Sequence, residues 1–99
     1  MKTILRLAVV SFVGLFSAAY ADTYTGVVSD TKTFHNGGEV VDLDGHYPNQ
    51  KMSFFVPPED AAKVGPLPPE GAKVTATGDI TQYRGKPEIK IHGPAQWKW

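Results

Sequence analysis

Residues 71–92 read GAKVTATGDITQYRGKPEIKIH, and the fold turns on how that stretch alternates. From Val74 the apolar and small residues take every second place, Val74, Ala76, Gly78 and Ile80, with Thr75, Thr77, Asp79 and Thr81 between them. A period of two marks a strand with one dry face and one wet face. Tyr83-Arg84-Gly85-Lys86-Pro87 interrupts the pattern. Gly85 takes positive φ at little cost, and Pro87 is tolerated at the start of a strand but not within one. Alternation resumes with Ile89 and Ile91 against Glu88, Lys90 and His92. The stretch therefore reads as a β-hairpin with an apolar inner face. It supplies a candidate binding edge at its turn and no catalytic group.

Upstream, the same periodicity places three more strands. The first runs from Thr23 to Thr31, with Gly26 inside it predicting a bulge or sharp bend. Asn36-Gly37-Gly38 makes a turn after Phe34 and His35. The second strand covers Glu39–Leu43 and ends at Asp44-Gly45, and Tyr47-Pro48-Asn49-Gln50 forms a loop. The third covers Lys51–Val56, with Met52, Phe54 and Val56 inward, and Pro57-Pro58 stops it. Residues 58–64 have proline first, acids in the first turn and Gly65 after the end, which predicts a helical turn or two. Pro66 to Gly71 is a stiff connector into the hairpin. Gly93-Pro94 breaks the last strand, and residues 95–99 extend it.

Residues 1–21 are set apart. Lys2 and Arg6 precede an apolar run from Leu7 to Phe16, and Ala19-Tyr20-Ala21 fits an A-x-A cleavage site. The run is shorter than the roughly 20 residues a membrane span needs. These features predict a cleaved signal peptide and a periplasmic or secreted mature chain of residues 22–99. That chain is one small domain, with eight Lys and Arg against ten Asp and Glu, a net charge of −2. Such a balance does not mark a general polyanion binder, since nonspecific nucleic-acid affinity comes mainly from Lys and Arg at phosphates. Without cysteine the domain has no disulfide to lean on. Its stability has to come from its core, which favours a closed sheet with few free edges.

Five strands with a short helical turn between strands 3 and 4 predict an all-β, five-stranded Greek-key barrel of the OB type. The residues also carry a resemblance. Tyr24-Thr25-Gly26-Val27-Val28, Val41-Asp42-Leu43-Asp44-Gly45 and the run V-x-x-x-G-x-I-x-x-Y-x-G-K-P-E-I over 74–89 resemble bacterial OB-fold domains of the nucleic-acid-binding type. The likeness extends over nearly all of residues 22–99, and the 74–89 run is its most specific part. It implies a ligand groove across strands 2 and 3, flanked by the loops joining strands 1 to 2 and 4 to 5. It also implies single-stranded nucleic acid as the partner, with an oligosaccharide or protein as the alternative.

The candidate ligand-binding residues are Tyr47, Phe55, Tyr83, Arg84, Lys86 and Lys90. Arg84, Lys86 and Lys90 sit at or beside the hairpin turn with Tyr83, offering charge for phosphate and a ring for stacking. The same residues also suit a solvated turn that discourages edge aggregation. Phe55 alternates with Phe54 and so points outward, where with Tyr47 it forms a stacking platform. Packing of Phe55 under the helical turn is the other reading. Trp97 and Trp99 share a face of an extended tail and are read as a lid on the core, ahead of an aromatic clamp for a partner.

No cofactor and no metal site is expected. Asp42-Leu43-Asp44-Gly45 lacks the further ligands of a calcium loop, and His35, His46 and His92 have no metal-binding spacing. Ser29 and Ser53 lack a nucleophile setting, and Arg84 is the single arginine after residue 21. The protein is therefore expected to bind rather than catalyse, as a monomer.

Overall fold

The computed structural model describes residues 21–99, so the predicted leader, apart from Ala21, lies outside the described residues. Seven strands form one curled sheet: β1 Asp22–Thr33, β2 Glu39–Leu43, β3 Met52–Val56, β4 Lys73–Gly78, β5 Ile80–Tyr83, β6 Lys86–Lys90 and β7 Trp97–Lys98. Their order is β5-β6-β3-β2-β1-β4-β7. All pairings are antiparallel except β3 with β6. The predicted helical segment is a 3₁₀ turn, Pro58–Asp60, running into the short helix α1, Ala61–Val64.

The hairpin's first strand is divided. Asp79 alone separates β4 from β5, yet β4 pairs with β1 and β5 with β6. Two strands one residue apart thus lie towards opposite ends of the sheet order, which forces the sheet to curl into a barrel-like shell. Gly78 stands at the seam. A Cβ there would lie 2.8 Å from Ile89 Cγ2, so a glycine is what lets β4 approach β6. Gln96 ties the same seam. Its Nε2 donates to the carbonyls of Thr77 and Lys90, and its Oε1 accepts from the His92 N–H.

Strand β1 serves both halves of the shell. Asp22–Val27 pairs with β4 and Val28–Thr33 with β2, and the register shifts between Val28 and Asp30. The bulge is therefore at Ser29, not at Gly26. Ser29 Oγ accepts from the Gly45 N–H at 2.8 Å. Gly26 has a different task. The Tyr24 ring lies over it to donate to Asp44 Oδ2 at 2.5 Å, while Asp44 Oδ1 accepts the Val27 N–H at 2.9 Å. A Cβ at Gly26 would stand 2.6 Å from Asp44 Oδ2 and 2.8 Å from the Tyr24 ring.

The inner face holds Val28, Val41, Leu43, Met52, Phe54, Val56, Val74, Ala76, Ile89, Ile91 and Trp97, with Val64 of α1 closing against it. Phe54 is central, with Tyr24 and Trp97 edge-on to it at centroid separations of 6.4 and 6.2 Å. The tail divides the expected lid. Trp97 is buried, whereas Trp99 turns perpendicular to it and stays exposed. Ile80 sits opposite Ile89 and faces the same side. Being on the outermost strand, it has no further neighbour to cover it and is 40% exposed.

A candidate ligand groove on the outer sheet face

Register places two rows of side chains side by side across the outer face. Lys32, Val40, Phe55 and Lys90 are mutual cross-strand partners from β1 to β6. The adjacent row is Asp30, Asp42, Ser53, Glu88 and Thr81, running from β1 to β5. Each of these residues in β2, β3 and β6 alternates with a core residue, so the strands that bury Val41, Phe54 and Ile89 inward must present the two rows outward.

Loops and turns wall these rows into a groove of about 860 Å³. All six sequence-predicted residues, Tyr47, Phe55, Tyr83, Arg84, Lys86 and Lys90, line it. Phe55 faces out, as its alternation with Phe54 requires. Its ring also touches Phe34, with centroids 6.4 Å apart, so a second aromatic extends the platform. Lys32 lies over the Phe34 ring at 5.6 Å. Sequence reasoning passed over Phe34, Lys32 and the polar floor made by Asp30, Asp42, Gln50, Ser53 and Glu88.

The turn that carries Arg84 is tight. Tyr83 pairs with Lys86 and leaves two loop residues, Arg84 and Gly85, with φ of 52° and 79°. Positive φ at both central positions is the type I′ arrangement, which favours Asn-Gly because its twist matches that of the flanking strands. Arginine in the first place costs on the order of 1 kcal/mol in backbone sterics. Its guanidinium lies 5.4 Å from the Tyr83 ring centroid. A residue that raises the energy of its own turn while lining a groove is a candidate for function.

The opposite wall is the loop between β2 and β3. Asp44 and Gly45 begin it with φ of 58° and 146°. A Cβ at Gly45 would lie 2.5 Å from the Asn49 carbonyl oxygen, so the loop closes only around glycine. His46 Nδ1 bonds Asp30 Oδ2 at 2.8 Å, and this contact holds the loop carrying Tyr47 beside β1.

Charge within the groove differs from that of the domain. Four of the eight Lys and Arg residues after residue 21 line it, against three of the ten acids. Asp42 and Glu88 are almost wholly buried in the floor, whereas Lys32 and Lys90 are exposed in the neighbouring row and Arg84 and Lys86 stand at the β5–β6 turn. Burial pushes the Asp42 carboxyl above its ordinary range. The Ser53 hydroxyl, donating at 2.8 Å, opposes that rise, and Asp30 alongside adds to it. Burial likewise raises Glu88, with Lys90 opposing. Gln50 Nε2 bonds Ser53 Oγ at 3.3 Å, and Gln50 Oε1 is buried without a donor among the described residues.

Asp44, outside the groove, goes the other way. The Tyr24 hydroxyl and then the Val27 N–H hold it below the usual carboxylate range, while burial and Asp44 push Tyr24 up to about 12. Asp42 and Asp44 thus serve different neighbours. Among the described residues, no group of three or more His, Asp or Glu side chains has metal-holding geometry. Compared with protein-family models and with curated proteins, the chain matches none.

Proposed function

We propose that the protein is an exported, non-catalytic binding module on an OB-type barrel, and that its groove takes a single-stranded oligonucleotide. The strand pairings support that architecture. β1, β2 and β3 form an antiparallel meander, β3 runs parallel to β6, and β4 with β5 reads as one strand broken at Asp79 that pairs with β1 and then β6. Counting β4 and β5 as one strand and β7 as an edge addition, these pairings support a five-strand Greek-key reading.

The observation that carries the ligand is the groove's lining, which combines four rings (Phe34, Tyr47, Phe55, Tyr83) with four cations (Lys32, Arg84, Lys86, Lys90). A single strand needs faces to stack on and positive charge along its backbone, and this groove offers both in one channel. Fluorescence anisotropy of labelled octanucleotides tests it. With three to four phosphate contacts, log affinity should fall against log salt with a slope of about −2 to −3. Arg84→Ala or Lys86→Ala should weaken binding and flatten that slope. Absence of saturable binding at low salt would remove the oligonucleotide reading.

A second reading is a protein- or glycan-interaction module, favoured by the exposed Trp99 beside the outermost strand β7. An apolar contact there would be nearly insensitive to salt, and Trp99→Ala rather than Arg84→Ala would weaken it.

A further inference from the structure

The groove floor is chemically one-sided. Its three carboxyls, Asp30, Asp42 and Glu88, and the Gln50 Oε1 atom are hydrogen-bond acceptors, and among the described residues no lysine or arginine makes an ion pair with any of the three carboxyls. Most of a buried polar network is normally satisfied internally. Here one groove acceptor is not: Gln50 is 6% exposed, and its Oε1 is buried with no donor among the described residues. Glu88 is 8% exposed as a residue, and its carboxyl, whose oxygens still reach the channel, makes no hydrogen bond or ion pair among the described residues. Both residues line the groove. Asp42 is better served, by Ser53, but still faces the channel in register with Ser53 and Glu88. Leaving the Gln50 Oε1 acceptor buried and unpaired costs free energy that an incoming donor returns, and the Glu88 carboxyl is free to accept beside it.

We infer that the floor reads the amino groups of bases, so that the groove selects nucleotides bearing an exocyclic amine over uracil and thymine. The inference rests on the oligonucleotide reading above. A carboxylate accepts from cytosine N4–H₂, and the amines of adenine and guanine are donors of the same chemical kind. Uracil and thymine present a carbonyl at the position where cytosine has its amine. Against Glu88 and Asp42 that carbonyl would set acceptor against acceptor. The division of labour is then physical: the cations hold phosphates without regard to sequence, rings stack any base, and the acidic row discriminates.

The test compares dC8 with dU8 at low salt by anisotropy, using the purified protein. The two oligomers share backbone, sugar and ring size and differ at the amine and the adjoining ring nitrogen. dC8 should bind at least tenfold more tightly. Glu88→Gln and Asp42→Asn, each close to isosteric, place an amide donor in the floor and should narrow that preference to less than threefold, mainly by weakening dC8. Circular dichroism checks that each variant is folded, and the wild-type comparison needs neither. Equal binding of dC8 and dU8, or tighter binding of dU8, overturns the inference while leaving the oligonucleotide reading intact. Failure of both oligomers to bind overturns the two together.

Discussion

Replacing Gly26 by alanine tests whether the Tyr24–Asp44 contact is what excludes a side chain at this position of β1. The added Cβ would lie 2.6 Å from Asp44 Oδ2, whereas ordinary contact is about 3.5 Å. Asp44 must retreat by nearly an ångström, which breaks the bond from Tyr24 and strains the one from the Val27 N–H. Hydrogen bonds to a charged acceptor are worth about 1.5–3 kcal/mol each, towards the low end for a carboxylate that remains partly solvated. Alanine offsets about 0.5–1 kcal/mol by restricting the unfolded chain. The expected net loss is about 2 kcal/mol, or a fall in Tm of roughly 8–16 °C for a domain of this size. Urea titration followed by tryptophan fluorescence reads it, since Trp97 is buried in the native core. The decisive comparison is a cycle with Asp44→Ala. Once Asp44 is gone its clash is gone, and the Tyr24 ring, freed of its partner, can swing aside. Gly26→Ala should then cost less than about 0.5 kcal/mol, giving a coupling above 1 kcal/mol. An equal cost in both backgrounds would refute the reasoning and leave backbone geometry at residue 26 as the cause.

Arg84→Asn places the residue preferred in a type I′ turn at φ 52° and should raise stability by roughly 0.5 kcal/mol after loss of the Tyr83 contact; thermal melting should move up by a few degrees while oligonucleotide affinity falls. Glu88→Gln removes a carboxyl whose pKa burial raises above its ordinary 4.5. Because the folded state favours the protonated form, wild type loses stability as pH rises through that elevated pKa. The variant should therefore be the more stable at pH 7, with the advantage gone below about 4.5; urea midpoints at the two pH values check it. Asp44, held low by Tyr24 and Val27, has the opposite sign. Its contribution is present above 3.8 and lost as pH falls through its depressed folded-state value, so Asp44→Asn should flatten the acid limb of the stability profile. Phe54→Ala empties the centre of the core and should cost about 3–5 kcal/mol, comparable to the total stability of so small a domain, so its cooperative melt should disappear.

The strands were legible because alternation is a local property. Val74, Ala76, Ile89 and Ile91 are inside where the pattern puts them. The break at Asp79 was not legible, because it arises from a change of pairing partner rather than a change of residue type. The misplaced bulge has a similar cause. A glycine within a strand signals a backbone peculiarity, but at Gly26 what needs the space is the Tyr24 ring reaching Asp44, twenty places further on. For the groove, aromatic and cationic residues near turns announced themselves, and all six meet in one channel. Asp30, Asp42, Ser53 and Glu88 did not, because a polar residue at every second position looks like a wet face. Only the register, which sets these residues side by side, turns them into a floor.

The way β1 is shared between two partners also bears on how the chain acquires its shape. β1 meets β2 through a short turn, but the Asp22↔Gly78 pairing closes a loop spanning most of residues 21–99. Closing so long a loop is costly in entropy before any contact rewards it. The meander β1–β3 and the hairpin β5–β6 can form early, each from local contacts, while the β1–β4 seam must wait until residues near 78 are available. Folding should therefore be slow for the chain's length, in milliseconds to seconds. Substitutions along the seam, at Gly78 or Gln96, should then speed unfolding far more than they slow folding.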